Sequence, residues 1–211
     1  MKVILSIVGG LLLVVAVVAV LLFVGGCGTY NNLVSLRQQV DRSWADVENV
    51  YQRRADLVPN LVRTVEGAAN FEKSTLTEVI QARQQVTNIK VDAGAAPNDP
   101  QVLQQFQQTQ DQLSGALSRL LVTVERYPEL KANANFQELQ AQLEGTENRI
   151  AVERRKFNET VQAYNTTVQS FPTSLLAGMF GFIPKPYFAA RAGADVAPEV
   201  NFNFGSGTAA P

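Results

Sequence analysis

The sequence predicts an all-α protein, in which an N-terminal transmembrane or signal-anchor helix is followed by an antiparallel up-and-down four-helix bundle of long helices. Three observations support this fold class. An apolar run without any charged residue occupies the N-terminus between Lys2 and Arg37. Beyond it, apolar residues recur at steps of three and four, as they do on one face of an α-helix. No segment alternates apolar and polar residues for long, as a half-buried strand would.

The N-terminal run is long enough to cross a lipid bilayer. The segment from Val3 to Val24 consists almost wholly of Val, Leu, Ile, Ala and Phe. A helix over this run reaches roughly 30 Å, which is the thickness of a bilayer core. Buried core helices rarely run so long without a polar face. Residues 1–28 are therefore interpreted as a transmembrane anchor or a lipoprotein signal segment.

Two interpretations of the end of this segment stay open. Small residues precede Cys27, the single cysteine, as in a bacterial lipobox, in which cleavage before the cysteine is accompanied by its lipidation. The apolar run is longer than the hydrophobic region of a typical signal sequence, which has roughly 7–15 residues, and only Lys2 is a basic residue before it; both features instead favour an uncleaved anchor. Both predict a bacterial membrane protein with one N-terminal anchor and its bundle outside the cytoplasm, periplasmic or at the cell surface.

Residues 29–188 are predicted to form the helical bundle. Their apolar stripes cover residues 33–89, 103–124 and 136–171. A proline follows each of the last two stripes, where its missing N–H and its restriction of the preceding residue end a helix. The soluble part is therefore expected to be wholly helical.

The number of helices depends on Pro59. A single helix over the whole first stripe would be roughly 90 Å long and would leave much of its apolar face in water. A reversal of the chain around Arg54 to Pro59 instead gives four helices of comparable length, which bury every stripe in an up-and-down bundle. The unbroken phase of the stripe through Val58 and Leu61 favours a kinked, continuous helix. We favour the reversal and four helices.

Charged residues interrupt the stripes at two places. Arg53, Arg54 and Asp56 precede Pro59, and the last stripe contains Glu147 and Arg149. The simplest explanation is a solvated helix face with pairs one turn apart. The sharper hypothesis is a partly buried Arg–Glu network that fixes the register of the helices. A catalytic carboxylate pair is the weakest hypothesis, because nothing supplies a nucleophile or a metal beside it.

Composition removes most catalytic interpretations. The 211 residues include no histidine and one cysteine, so the commonest general base and any multi-cysteine metal site are excluded. A formal net charge of -1 argues against nucleic-acid binding. The sequence has neither a phosphate-binding loop nor a nucleophile elbow. We expect no catalytic, cofactor-binding or metal-ligating residues, no cofactor and no enzyme activity.

An aromatic stretch ends the bundle, and it includes Phe180, Phe182, Tyr187 and Phe188. One interpretation is a short helix and an extended segment that cap the open end of the bundle. The other is a contact with the membrane interface or a partner, where aromatic residues and lysine are favoured. Residues 189–211 are rich in Ala, Gly, Pro and Asn and are predicted to be disordered.

Several motifs along the chain resemble those of the LemA family. In chain order they are residues 30–34 (YNNLV), 51–62 (YQRRADLVPNLV), 127–133 (YPELKAN), 139–140 (LQ), 146–151 (TENRIA), 164–165 (YN), 171–172 (FP) and 182–188 (FIPKPYF). The resemblance covers residues 30–188 in order. It departs from many members at Cys27, where those have a plain anchor, although a lipoprotein-like subset carries such a cysteine.

The resemblance implies a bacterial, membrane-anchored helical bundle without established enzymatic activity or agreed catalytic residues. Its members include magnetosome proteins linked to membrane biogenesis, which implies scaffolding at a bilayer. We therefore expect a scaffold or a self-assembling, membrane-organising protein of the envelope. The expected partners are membrane lipids, further copies of the chain or an envelope protein, and no nucleic acid. The alternative is an adaptor that docks or presents partners to a membrane protease or another envelope enzyme.

Overall fold

The computed structural model describes residues 2–68, 71–89 and 94–189, and within them every regular element is a helix. The six helices are α1 (Lys2–Glu66), α2 (Lys73–Asn88), α3 (Pro100–Val124), α4 (Pro128–Lys131), α5 (Ala134–Gln169) and α6 (Thr173–Met179). The prediction of an all-α protein is confirmed.

The N-terminal part of α1 is described mainly as backbone, because most side chains before Gly26 lie outside the described residues. In the parts of the chain that the structure describes, no helix was found with an apolar stretch long enough to cross a membrane. The predicted anchor over residues 1–28 falls largely on side chains that are not described, and it stays a prediction. The predicted disordered tail, apart from Ala189, also lies outside the described residues.

The predicted reversal around Pro59 is wrong, because α1 continues through this proline to Glu66. A proline inside a helix cannot donate to the carbonyl four residues earlier, which here belongs to Ala55. That carbonyl instead accepts a hydrogen bond of 2.9 Å from Nε of Arg83 on α2. A side chain of the neighbouring helix thus replaces the bond that the proline removes, and the chain turns only after Glu66.

The hydrophobic core consists of two clusters. The proximal core, which surrounds the first bundle turns of α1, contains Leu33, Val40, Trp44, Val47, Tyr51, Ala96, Leu103, Phe106, Ile150, Phe157, Val161, Tyr164, Val168, Ala177, Phe182 and Phe188. The distal core contains Leu57, Val58, Leu61, Val62, Val65, Phe71, Leu76, Val79, Ala82, Leu113, Ala116, Leu117, Leu120, Val124, Leu130, Phe136 and Leu143. The first cluster is rich in aromatic residues and the second is mainly aliphatic.

Membership of the two cores shows the directions of the long helices. The proximal core joins residues 33–51 of α1 to residues 150–168 of α5, whereas the distal core joins residues 57–65 of α1 to residues 136–143 of α5. The helices α1 and α5 therefore run antiparallel, and they form the most extensive helix contact of the described chain.

The pair of α2 and α3 completes the body. Leu103 and Phe106 of α3 lie in the proximal core and residues 113–124 in the distal core, so α3 runs parallel to α1. Leu76 of α2 lies in the distal core, while Ile89 just after α2 packs against the proximal core. The helix α2 therefore runs back alongside α3, and its direction opposes that of α1.

Side-chain caps fix where α3 and α5 begin. The carboxylate of Asp99 accepts from the backbone N–H of Gln101, and Pro100 occupies the first turn of α3, where a missing N–H costs nothing. Asn133 likewise accepts from the backbone N–H groups of Asn135 and Phe136 at the start of α5. These caps satisfy backbone donors that the first turn of a helix leaves without partners.

Candidate functional site

A layer of polar side chains separates the proximal core from the distal core. We call it the arginine layer, and it consists of Arg54 of α1, Gln110 and Ser114 of α3, and Glu147 of α5. The side chain of Arg54 is only 1% exposed, whereas that of Glu147 is 35% exposed. A buried guanidinium is therefore held at the centre of three helices, with its counter-ion at the edge of the body.

The hydrogen bonds of the layer converge on the two terminal nitrogens of Arg54. Nη1 donates to Oε1 of Glu147 at 2.6 Å and to Oγ of Ser114 at 2.5 Å. Nη2 donates to the backbone carbonyl of Gln110 at 3.1 Å and to its side-chain oxygen. Ser114 Oγ in turn donates to Glu147 Oε1 at 3.3 Å. Such pairing is what a buried charge requires, because an unpaired one costs several kcal/mol.

The sequence places this arginine at a core position. Leu33, Val40, Val47, Arg54 and Leu61 follow one another at intervals of seven residues, and the four apolar members of this series are fully buried. Intervals of seven keep a residue on the seam between packed helices. A charged side chain at one seam position therefore lies inside the body and must find its partners on the helices that face it.

Gln110 occupies the equivalent position on α3. It falls between Phe106 and Leu113 in the buried stripe and is itself 3% exposed. A polar residue inside such a stripe is the signal that could have predicted this position, and Gln110 is absent from the predicted network. The arginine layer is thus a set of two seam positions, Arg54 and Gln110, supplemented by Ser114 and Glu147.

The predicted polar network is formed only in part. Of its five predicted members, the structure brings Arg54 and Glu147 together, and it places Arg53, Asp56 and Arg149 at exposed positions. Exposed residues of a helix adjacent to a seam residue point away from the core, which explains why Arg53 does not join its neighbour. Asp56 accepts a hydrogen bond from the side chain of Gln52 at 2.8 Å.

Tyr51 lies one turn before Arg54 and extends the layer toward the proximal core. The carbon of the Arg54 guanidinium lies 5.1 Å from the centre of the Tyr51 ring, within the range of a cation–π contact. Burial raises the pKa of the Tyr51 phenol, and the positive charges of Arg154 and Arg54 oppose this rise. The phenol stays neutral beside the guanidinium at neutral pH.

A second polar arrangement holds the end of the described chain. We call residues 182–189 the C-terminal strap; they are extended and lie against α3 and α5. Three amide side chains each donate to and accept from one backbone position of the strap: Asn165 with Lys185, Asn158 with Phe188, and Gln107 with Ala189. Each amide offers the strap the donor and acceptor that a neighbouring strand would offer.

The spacing of the two asparagine clamps follows from backbone geometry. Asn158 and Asn165 are two helical turns apart, which is roughly 10 Å along α5. Lys185 and Phe188 are three residues apart, and an extended segment of that length also covers roughly 10 Å. Their hydrogen bonds to Lys185 and Phe188 are 2.8–3.1 Å long. The clamps thus bind a straight, extended backbone without distortion.

The side chain of Lys185 attaches the strap to Ala96, which precedes α3, and to Asp41 of α1. This side chain is buried, its Nζ donates to the carbonyl of Ala96 at 2.5 Å, and it lies 3.8 Å from the carboxylate of Asp41. Asp41 also accepts from the backbone N–H of Ala96. Burial lowers the pKa of the Lys185 ammonium, while the Asp41 carboxylate opposes this effect and Arg37 adds to it.

The predicted contact residues of the aromatic stretch separate into two groups. Phe188 stacks on Trp44 at 5.9 Å and packs edge-on against Phe157, and Phe182 lies 5.7 Å from Tyr30. Phe182 and Phe188 are 7% and 4% exposed, so the core already uses them and neither is open to a membrane or a partner.

Phe180 and Tyr187, by contrast, are 51% and 47% exposed. Their position therefore leaves them open to an outside contact. Cys27 is exposed on α1. Among the described residues, no cluster of His, Cys, Asp or Glu is placed to hold a metal ion.

An exposed apolar surface surrounds α6. We call it the α6 patch, and it consists of Phe171, Leu175, Met179, Phe180 and Ile183. The first three are 81%, 64% and 78% exposed. They are spaced by four residues, so Leu175 and Met179 share one face of α6 and Phe171 lies just before it. Ala177, on the other side of α6, is buried in the proximal core.

Comparison with known proteins places these features in a family context. A model of the LemA family matches residues 43–202, a range that includes the arginine layer, α6 and the C-terminal strap. The chain is similar to magnetosome protein MamQ 2 of Paramagnetospirillum magneticum, with 24% identity over 204 residues, 87% of this chain and 74% of the relative.

Two further relatives have comparable identity. Magnetosome protein MamQ of Magnetospirillum gryphiswaldense is 24% identical over 185 residues, which cover 79% of this chain and 66% of the relative. Protein LemA of Metamycoplasma hominis is 23% identical over 150 residues, which cover 71% of this chain and 64% of the relative. Since the family model matches well over half of the sequence, the chain belongs to the LemA family.

Proposed function

We propose that this protein is a non-enzymatic scaffold of the bacterial envelope, in which an N-terminal anchor holds an antiparallel up-and-down four-helix bundle outside the cytoplasm. The observation that carries this proposal is the arginine layer. Its buried charge is bound by Glu147, Ser114 and Gln110 of the same chain, so its chemistry serves the alignment of helices. A reaction centre would instead direct such a group toward a substrate.

The layer supplies a physical property that a scaffold needs, which is a fixed helix register. If α1 slid by one turn against α3 and α5, Arg54 would move roughly 5 Å away from its acceptors. A buried polar side chain at a seam position is a well-attested way to specify one register among several with similar apolar packing. The bundle is thereby a body of defined length and shape.

The membrane part of the proposal is supported by the sequence and by the relatives. The segment from Val3 to Val24 has the length and composition of a membrane-spanning helix. Two of the relatives are named magnetosome proteins. An uncleaved anchor and a lipid on Cys27 both place residue 29 at the membrane surface. The partners would be membrane lipids together with further copies of the chain or another envelope protein.

The test is cross-linking of the full chain in native membranes, followed by extraction and light scattering. Scaffolding predicts membrane fractions that resist a carbonate wash, and complexes larger than one chain. The Arg54→Ala variant should lose these complexes, while Arg53→Ala, a change at the exposed neighbouring position, should keep them. A strictly monomeric protein without partners in its own membrane would overturn the scaffold proposal.

An adaptor that presents partners to a membrane protease or another envelope enzyme is the second proposal. One observation favours it: Gln107 and Arg154 bind the backbone of Ala189, so the last described residue before residues 190–211 is held at a defined place on the body. Deletion of residues 190–211 should then remove one specific cross-linked partner in cells and leave the fold unchanged. An unchanged set of partners would exclude this route.

A further inference from the structure

The helix α6 is apolar on two opposite sides. Ala177 contacts the proximal core, while Leu175 and Met179 on the other side face outward. A helix that is hydrophobic all round belongs in a buried position, and contiguous exposed apolar patches on soluble proteins mark interaction sites. The α6 patch is therefore a candidate contact surface.

The position of the patch indicates which surface it contacts. Tyr30 of α1 packs against Phe180 at 5.0 Å and against Phe182 at 5.7 Å, so the patch lies at the level of Tyr30. Tyr30 follows Val24, the end of the apolar run, by six residues, or roughly 9 Å of helix. A headgroup layer is about 5–8 Å thick, so the backbone at this level lies just beyond it. Side chains on a helix point back toward its N-terminus, so an aromatic side chain at this level reaches the headgroups.

The lack of exposed charge in residues 171–189 is compatible with a membrane interface. Residues 171–189 contain no acidic residue, and their single basic residue, Lys185, is buried against Ala96. No charged group in this range has to be moved out of water when the patch enters a membrane interface. Exposed aromatic side chains such as Phe180 and Tyr187 are favoured at that depth.

We propose that the α6 patch is a second membrane contact, which lies in the headgroup region of the bilayer that the anchor enters. This inference rests on the proposed anchor. Since α6 packs on both α1 and α5, and the asparagine clamps hold the strap that follows it, the patch moves with the bundle. Two attachment points, the anchor and the patch, fix the tilt of the bundle relative to the membrane.

The contact is apolar, so it does not need anionic lipids. Insertion of Phe171, Leu175 and Met179 removes apolar area from water, and this driving force is largely independent of salt. Vesicles of a zwitterionic lipid such as phosphatidylcholine are therefore sufficient as a probe.

The test places a nitroxide spin label at Met179→Cys or at Val122→Cys in the full chain, with Cys27→Ser in both so that one site is labelled. Val122 is a matched control, because it is also apolar and 70% exposed but belongs to α3 beside the distal core. In phosphatidylcholine vesicles, collisions with oxygen and with a water-soluble nickel chelate are measured. The ratio of oxygen to nickel collisions should be several-fold higher at position 179 than at position 122, in high and low salt alike.

The outcomes separate this inference from the proposed function. Resistance to a carbonate wash together with equal, water-like ratios at both positions would keep the anchor and overturn the second contact. Low collision rates with both reagents at position 179 would show a protein cover, such as a second copy, and would also overturn it. Release by carbonate of the protein with its natural Cys27 would overturn the anchor and this inference together. Circular dichroism and thermal melting confirm that both labelled variants are folded.

Discussion

The two cores of the bundle are stabilised in different ways. The distal core is mainly aliphatic, and hydrophobic area is its principal source of stability. The proximal core combines aromatic contacts around Trp44 with the three amide clamps, the buried Lys185 and a hydrogen bond of 2.8 Å between Ser43 and Thr160. The half of the bundle nearer the predicted anchor is therefore the geometrically specified half, and the arginine layer joins it to the other.

This difference between the two cores predicts where amino-acid substitutions will be tolerated. Aliphatic cores accept changes that conserve volume, because shape can be recovered by repacking. Directional contacts cannot be recovered in this way, since a buried donor or acceptor without a partner costs about 1–3 kcal/mol. We expect the distal core to accept conservative apolar exchanges and the polar positions of the proximal half to be intolerant.

The largest effect is expected where the two halves meet. Arg54→Ala should lower the free energy of unfolding by about 3–5 kcal/mol, because it removes a buried charge and orphans the acceptors around it. Arg53→Ala, at the exposed neighbouring position, should stay within about 0.5 kcal/mol of the natural protein. Urea denaturation of both variants measures the difference. Equal, small effects would show that the arginine layer contributes little to the fold.

The next effect concerns the proximal half alone. Asn165→Ala should destabilise the protein by about 1–3 kcal/mol, because it leaves the N–H and carbonyl of Lys185 without their buried partner. Hydrogen exchange should accelerate at the amides of Lys185 and Phe188 but not in the distal core. Asn148→Ala, at an exposed position of the same helix, is the control. Unchanged exchange in the strap would contradict the clamp.

A smaller effect tests why α1 does not end at Pro59. Arg83→Ala should cost about 1 kcal/mol, because the carbonyl of Ala55 loses its donor. In a Pro59→Ala background the same change should cost less, since the N–H of residue 59 can then donate to that carbonyl. A double-mutant cycle measures the coupling between the two positions. Independent, additive effects would contradict the replacement of the missing bond by Arg83.

The smallest effect is a pH dependence at Lys185. Because the pKa of this ammonium is lowered in the folded protein, the unfolded chain binds more protons between that pKa and the ordinary value of 10.5. The free energy of unfolding should therefore rise through this window by more than it does in Lys185→Met. Chemical denaturation of both proteins at several pH values measures the difference. Identical pH dependence of the two proteins would contradict the burial effect.

Local patterns predicted the secondary structure well. Steps of three and four residues are visible in one segment of chain, so the helices and most apolar core positions follow from the sequence. The predicted end of the first bundle helix was wrong. Whether a proline ends a helix depends on whether another donor can bind the carbonyl that the proline leaves without a partner. Here the answer comes from Arg83, which is distant in sequence and close only after folding.

The candidate site was predicted less completely than the helices were. The reason is again that it depends on contacts between residues that are distant in sequence. Arg54 and Glu147 were recognised as charges that interrupt apolar stripes, but nothing in the sequence states which helix faces which. Gln110 and Ser114 were therefore missed, and Arg53 was included although it is exposed. The short helix and the extended segment at the end of the bundle agree with one of the two interpretations of the aromatic stretch. The amide clamps were missed, since an asparagine that binds a backbone is not distinguishable in sequence from any polar residue of a helix surface.

The central claim is that the arginine layer fixes the register of the bundle, and a distance measurement tests it most directly. Spin labels at exposed Gln38 of α1 and exposed Glu144 of α5, in a Cys27→Ser background, report sliding of the two antiparallel helices by pulsed electron paramagnetic resonance. We predict one narrow distance distribution with Arg54 present. With Arg54→Met, which fills the space without its hydrogen bonds, the distribution should broaden or acquire a second maximum about 5 Å away. An equally narrow distribution at the same distance in Arg54→Met would contradict the claim.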